Sequence, residues 1–344
     1  MDAPVIRFPW EEPPATGSAV EVAEGILWLR LPLPMRLDHV NVYALDEGDH
    51  WTLIDTGMDL ASSRTAWEAL LSGALAAKPV GRVVLTHHHP DHIGLLGWFA
   101  SRGAEVWATR LGWTLGRMLQ LDHNDLPPPE QLAFRRRAGM PADMLDEFAQ
   151  ERPFNFSQCT APIPLGYQVL QDGMTLAMGG RDWQVRFGHG HAPDHATFWS
   201  GDLVLAGDQI IPGISSNIGV YPSEPEANPL ADWLDSCRVF RDVVGGDDHL
   251  ILPGHKLPFR GAAHRLTQLI ENHEHALDRI LGALEQGPRT AAQLFTPIFK
   301  REIGGKQYGL ALAESVAHMN YLHQSGRVSR HLKDGAWHYE RTQA

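Results

Sequence analysis

The chain has 344 residues, of which 43% are hydrophobic and 20% charged, with a net charge of −12. That length suits one large domain with a small appendage, and the acidic balance argues against a general nucleic-acid-binding surface. The two cysteines, Cys159 and Cys237, form no Cys-x-x-Cys pair, so they suggest unpaired thiols and no thiolate metal site.

Residues 1–20 are rich in proline and predict an extended N-terminal arm, with Asp2, Glu11 and Glu12 in place of the basic start of a signal peptide. Short β-runs follow at Ile26–Leu31, Asn41–Leu45 and Trp51–Asp55, the last two parted by Asp46, Gly48 and Asp49. Residues 60–77 have apolar positions three and four apart and predict a helix. Val83-Val84-Leu85 predicts a buried strand ending at Thr86. Residues 110–165 carry mixed helical signals broken by Pro127-Pro128-Pro129, and are read as a helical insertion.

A second β-rich block runs from Tyr167 to Leu205, then a helix around Leu230–Val243 and a strand at Leu250–Leu252. The tail predicts helices at residues 265–285, Thr290–Phe295 and Leu310–Gln324, then a hairpin around Lys333-Asp334-Gly335. Helix, helix, helix, hairpin is the order of a winged-helix domain. No stretch approaches the ~20 apolar residues of a membrane span, so a soluble, cytoplasmic protein with no membrane partner is expected.

The densest chemical signal is His87-His88-His89-Pro90-Asp91-His92, directly after the buried strand. Residues two apart in an extended segment point the same way, so His87 and His89 can converge on one ion. Asp91 and His92 can reach a second. Imidazole and carboxylate without thiolate suit Zn, Fe or Mn.

With its His-x-His-x-Asp-His motif the chain resembles the metallo-β-lactamase superfamily. Four further motifs stand in that family's order: Leu53-Ile54-Asp55-Thr56-Gly57, Gly190-His191-Ala192-Pro193-Asp194-His195, Ala206-Gly207-Asp208 and Leu252-Pro253-Gly254-His255. The resemblance implies an α/β fold, a four-layer αβ/βα sandwich over residues 21–262 that contains the insertion. A winged-helix appendage would follow over 263–344. It implies two divalent metal ions, zinc first, with iron or manganese as alternatives. His87, His89 and His191 would hold one metal, Asp91, His92 and His255 the other, and Asp208 would bridge both. Asp91 and Asp208 would be the catalytic carboxylates, working with a hydroxide that bridges the metals.

Other residues near these motifs carry plainer expectations. Asp55 is expected to orient a ligand or the backbone of the histidine loop, and His195 to make a structural hydrogen bond. His88 should point away from the metals. His189 could rival His191, which the family pattern favours. Asp194 stands where the family often has Gly, and either adds a carboxylate or caps a turn. His39 and Asn41 could face the metal edge or serve the strand end. Lys256 and Arg260 could meet an anionic substrate or form a solvated edge.

The motifs do not choose the substrate. A small molecule is expected, with an acyl-CoA or glutathione thioester, or a related ester, fitting best. Thiolate is a good leaving group, and the insertion offers Met and Leu side chains to cover an acyl chain. The resemblance extends to glyoxalase II in the core, and to a β-lactamase-like group that includes a eukaryotic endoribonuclease in the tail. A metal-dependent phosphodiesterase or endoribonuclease is therefore one alternative and a lactonase another. The helix Leu310–Gln324 has no Lys or Arg, and residues 262–344 carry ten Lys+Arg against eight Asp+Glu, a weak footprint for nucleic acid. Its apolar character fits packing or a homodimer.

Overall fold

The computed structural model describes residues 5–246 and 248–342, except the side chain of Lys306; the first four residues of the expected arm lie outside that range. The chain forms two compact units. The first comprises the described parts of Met1–His123, Phe154–Ser216 and Arg241–Arg265; the second comprises Asn124–Pro153, Asn217–Phe240 and the described part of Leu266–Ala344.

The first unit is a mixed α/β structure built on two sheets. Seven strands run in spatial order as in sequence: β1 (Ala19–Ala23), β2 (Ile26–Pro32), β3 (His39–Asp46), β4 (Trp51–Ile54), β5 (Val80–Val84), β6 (Glu105–Thr109) and β7 (Gln168–Leu170). β1 to β4 pair antiparallel and β4 to β7 parallel. Five further strands order as β12-β11-β10-β9-β8: β8 (Thr175–Met178), β9 (Arg181–Gly188), β10 (His195–Ser200), β11 (Leu203–Gly207) and β12 (Leu250–Pro253).

Period-two alternation decides which core each side chain joins. From β3, Val40, Val42 and Ala44 enter a core shared with helices α1 (Ala61–Ser72), α2 (Pro90–Ile93) and α3 (Leu96–Ala100) through Trp67, Leu70, Ile93, Leu96 and Phe99. Tyr43 and Leu45 face the other way, joining Trp28, Ile54 and Val84 against Trp183, Val185, Phe198 and Leu252 of the second sheet. Burial on both faces explains why these strands lack an apolar–polar rhythm. Helix α4 (Arg110–Leu121) also belongs to this unit, its Thr109 side chain accepting the Gly112 N–H at the N-cap.

The second unit draws on three separate chain segments. It holds α5 (Pro129–Arg137), α6 (Ala142–Phe148), most of α7 (Pro229–Val244) and of α8 (Ala262–Leu284), α9 (Phe295–Phe299) and α10 (Tyr308–Gln324). It ends in the hairpin β13 (Val328–Lys333) and β14 (Ala336–Arg341). The hairpin closes through Asp334 and Gly335, both with positive φ, as a two-residue turn of the mirror-image type requires. Ala292 N–H donates to the Ala138 carbonyl at 2.9 Å, tying the tail to the segment of α5 and α6. Both cysteines are buried, and neither is in a disulfide. Among the described residues no helix is long and apolar enough to cross a membrane.

Candidate metal centre

The C-terminal ends of β4, β5, β11 and β12, with the turn after β9 that carries His191, bring the predicted residues together. β4 and β5 pair with Ile54 opposite Val84, so Asp55 and Thr86 emerge side by side. β11 and β12 pair with Gly207 opposite Pro253, which sets Asp208 beside Gly254 and His255. After Thr86 the chain passes through His87 and His88 to His89, which is extended, and Pro90 then starts α2 at its first position, placing Asp91 and His92 in that first turn.

Two facing groups of donors result. His87 Nε2 lies 2.9 Å from His89 Nδ1 and 3.3 Å from His191 Nε2, and His89 Nδ1 lies 2.9 Å from His191 Nε2. Opposite them, Asp91 Oδ2 is 3.7 Å from His92 Nε2 and 3.4 Å from His255 Nε2. Asp208 faces both groups: Oδ2 is 3.4 Å from His191 Nε2 and 3.3 Å from His255 Nε2, and Oδ1 is 3.4 Å from His92 Nε2. The buried His92 Nε2 and Asp208 Oδ1 have no hydrogen-bond partner.

These residues fit metal ions well. Nitrogens about 2.0–2.1 Å from a tetrahedral zinc stand roughly 3.3–3.4 Å apart, close to the spacings here. Three such groups, His87/His89/His191, His87/His92/Asp208 and Asp91/His92/His255, have ligand atoms within 4.8 Å of one another.

Asp55 organises the histidines from behind. Buried and held at φ 64°, it accepts the Thr86 N–H at 2.8 Å, the Thr86 hydroxyl at 2.7 Å and the His92 Nδ1–H at 2.7 Å. The Thr86 oxygen in turn accepts the His87 Nδ1–H at 2.9 Å. His92 and His87 are thereby held with their Nε2 lone pairs turned into the centre. His255 is set the same way, its Nδ1–H donating to the His39 carbonyl at 2.7 Å.

Charge is balanced within the cluster. Burial alone would raise the Asp208 carboxyl, but His255 and His92 hold it well below the ordinary carboxylate range. Burial opposes charge on His255 too, yet Asp208 and Asp91 carry its imidazole up to about 10. Burial and the neighbouring imidazoles push His87 and His89 well below their ordinary value. The imidazoles of His87 and His89 are thus kept neutral, while on the other side carboxylates and imidazoles hold one another in their charged forms.

Residues 35–255 match the family model described as the metallo-beta-lactamase superfamily. The chain belongs to this superfamily. Residues 277–342 match a second model, the metallo-beta-lactamase-like C-terminal domain. The chain is 33% identical to a beta-lactamase domain protein from Burkholderia ambifaria, covering 98% of this chain and 97% of that one, with a TM-score of 0.87. A metallo-beta-lactamase family protein from Thermus thermophilus gives 28% identity, coverage of 94% and 100%, and a TM-score of 0.78. Among curated proteins, the probable metallo-hydrolase YqjP of Bacillus subtilis is 24% identical over 92% of this chain and 98% of its own. The atrochrysone carboxyl ACP thioesterase of Aspergillus fumigatus is 22% identical over 87% of this chain, which spans 60% of that longer relative.

The other sequence candidates in this superfamily member fall in various places. His195 is fully buried, accepts the Asp208 N–H through Nε2 at 3.0 Å and stacks on His87 with centroids 4.6 Å apart. His88 lies outside the donor groups, its imidazole pushed down to about 3, chiefly by burial. His189 turns to Asp194, whose N–H it meets at 3.4 Å, and Asp194 takes φ 50° in that turn. His39 and Asn41 brace the His255 turn: His39 Nε2 accepts the Lys256 N–H at 2.9 Å, and Asn41 Nδ2 donates to the Pro253 and Lys256 carbonyls at 2.9 and 2.8 Å. Arg260 pairs with Asp202 and Asp248, so it serves the edge of the unit.

Two kinds of residue escape a reading of the sequence. Thr86 is only a strand end there, although it links Asp55 to His87. Gly207 and Gly254 are only motif letters, although a Cβ at Gly207 would stand 2.6 Å from His195 Cε1, and one at Gly254 would stand 2.3 Å from Asp208 Oδ1. The adjacency of each glycine to a metal-facing residue, Gly207-Asp208 and Gly254-His255, is the available signal.

Proposed function

We propose that this metallo-hydrolase is dinuclear and cleaves thioesters, with related esters as lesser substrates. The position of Asp208 carries the reading, because its two oxygens face nitrogens from both donor groups within 3.4 Å. In this reading His87, His89 and His191 hold one divalent ion, Asp91, His92 and His255 the other, and Asp208 reaches both. Zinc suits an all-imidazole and carboxylate set. When bound, such a pair supplies a water deprotonated near neutral pH and polarises the bond under attack.

The chain's own groups do the rest. Asp55 and Thr86 keep His92 and His87 in the required tautomer, and the His39 carbonyl does so for His255. Asp91 would accept a proton as the bond breaks. Thiolate leaves without help from a strong acid, which favours the thioester. The relative named as an acyl-carrier-protein thioesterase favours it too. Leu111, Met118 and Leu121 of α4 are exposed and offer apolar cover for an acyl chain. The tail is read as a winged-helix-like domain used for packing.

A hydrolysis panel on the purified protein, with metal content measured in parallel, tests the proposal. It should contain S-lactoylglutathione, short and long acyl-CoAs, a lactone, bis-p-nitrophenyl phosphate and single-stranded RNA. Thioester turnover that chelation abolishes and zinc restores is the expected result. Phosphodiester cleavage with inert thioesters would overturn it in favour of the nuclease alternative.

A further inference from the structure

Among the described residues, groups of three His, Cys, Asp or Glu with mutually adjacent ligand atoms occur four times. Three belong to the centre above. The fourth, His273, Glu314 and His318, lies wholly within the second unit. Glu314 and His318 sit one turn apart on α10 and so share a face, and His273 comes from α8. Both imidazoles are buried. Their nearest nitrogens, His273 Nδ1 and His318 Nε2, are 3.3 Å apart, the same separation as His87 Nε2 and His191 Nε2.

The orientation of His318 supplies a second observation. Its Nδ1–H donates to the Glu314 carbonyl at 2.8 Å, which leaves the lone pair on Nε2 directed at His273. A metal-binding imidazole is usually anchored through its other nitrogen in this way, and His255 in the first unit is anchored alike. The Glu314 carboxylate accepts a hydrogen bond from Asn217 Nδ2 at 2.8 Å, and the residue as a whole is partly exposed. The nearby Arg279 guanidinium is turned away to the carbonyls of Pro297 and Ile298. Burial pushes Glu314 up to about 7 and the two imidazoles down to about 3 and about 4, as expected of donors gathered without a cation.

We propose that His273, Glu314 and His318 form a separate zinc site that clamps α8 to α10. Two imidazoles and a carboxylate are an established zinc set that leaves the fourth position to water. The plainer alternative is a buried pair of histidines sharing one proton, and it predicts no metal.

The test counts zinc in the full-length protein after reconstitution with zinc alone and desalting. Wild type should hold one zinc more per chain than His318→Gln or Glu314→Gln, with hydrolysis at the first unit's centre unchanged. In a background carrying His87→Ala, His92→Ala and Asp208→Ala, which leaves none of the first unit's three donor groups complete, one zinc should remain and should raise the thermal midpoint. Adding Glu314→Gln to that background should remove both the ion and the thermal gain. Glu314→Gln is isosteric at a partly exposed position, so it carries the test if His318→Gln fails to fold. Equal zinc in wild type and Glu314→Gln, or none in the His87→Ala, His92→Ala, Asp208→Ala background, would overturn the proposal. Because that background lacks the first centre, the result stands whether or not the dinuclear reading holds.

Discussion

Gly254→Ala should disable the metal centre while leaving the protein folded. Gly254 is not among the residues with positive φ, so alanine brings no backbone strain and acts through its methyl group alone. That methyl would stand 2.3 Å from Asp208 Oδ1 and 2.9 Å from His92 Cε1. Ordinary contact begins at 3.4 Å, so the carboxylate must retreat by the difference, 1.1 Å. The Asp208 backbone cannot follow, because its N–H is held by His195 at 3.0 Å and its carbonyl by the Ser216 hydroxyl at 2.5 Å. The displacement therefore falls on the oxygens that face both donor groups. A misplacement of about 1 Å costs on the order of 10²-fold in rate, or about 2.7 kcal/mol of barrier. Overpacking should cost a further ~1–3 kcal/mol of stability. The measurement is kcat/KM with zinc content and thermal midpoint, beside Gly166→Ala, whose added Cβ meets nothing within 4 Å. Full zinc occupancy with kcat/KM within about threefold of wild type would show that Asp208 does not need its present position.

Three further outcomes follow from the same geometry. Asp55→Asn puts an amide donor among groups that already donate, so zinc affinity should fall roughly 10- to 100-fold in a chelator competition; unchanged affinity would remove Asp55 from the support of His92 and His87. His195→Ala should keep the full metal count but lower the thermal midpoint, since it deletes a buried ring and the acceptor for the Asp208 N–H; loss of one metal would make His195 a ligand. In chelator-treated protein, Glu314 binds its proton more tightly folded than unfolded, its value rising from 4.5 to about 7. Its charge thus destabilises the fold above about pH 7 and not below about 4.5. Glu314→Gln should gain about 1–2 kcal/mol on wild type at pH 8 relative to pH 5, a range reduced for partial exposure, and an equal difference at both pH values in urea titrations would sink the idea.

The centre is legible in the sequence because metal chemistry demands particular atoms at short spacing. His87 to His92 deliver four of the donors within six residues, and a buried strand before them leaves few folds that could use such a run. Strands β2 to β5 are legible from β-branched runs and turn residues. β6 is not, because Glu105-Val-Trp-Ala-Thr is short and its burial is settled only by pairing with β5 and β7. The second unit is hidden for a related reason. The insertion reads as one body in the sequence, yet α4 lies in the first unit while α5 and α6 lie in the second. What joins α5 to the tail is the Ala292 to Ala138 hydrogen bond and the turn at Gly139, where a Cβ would stand 2.2 Å from the Thr290 hydroxyl. Contacts between residues some 150 positions apart leave no periodic trace in either segment. The same holds for His273 and His318, which no local motif connects.

Asp55 shows how strain and function meet in this fold. A non-glycine residue at φ 64° costs on the order of 1–2 kcal/mol. Asparagine tolerates that conformation as well as aspartate does, so backbone geometry alone does not select Asp here. The selection comes from the side chain, which must accept three hydrogen bonds at once from Thr86 N, Thr86 Oγ1 and His92 Nδ1. Only a carboxylate presents acceptors alone on both its branches. The left-handed turn is what aims that carboxylate back across β5 toward the histidine loop, whereas an extended residue would continue the strand past it. The strain at Asp55 is therefore the cost of reaching one ligand directly and a second through Thr86, and both lose their fixed tautomer if either the turn or the charge is removed.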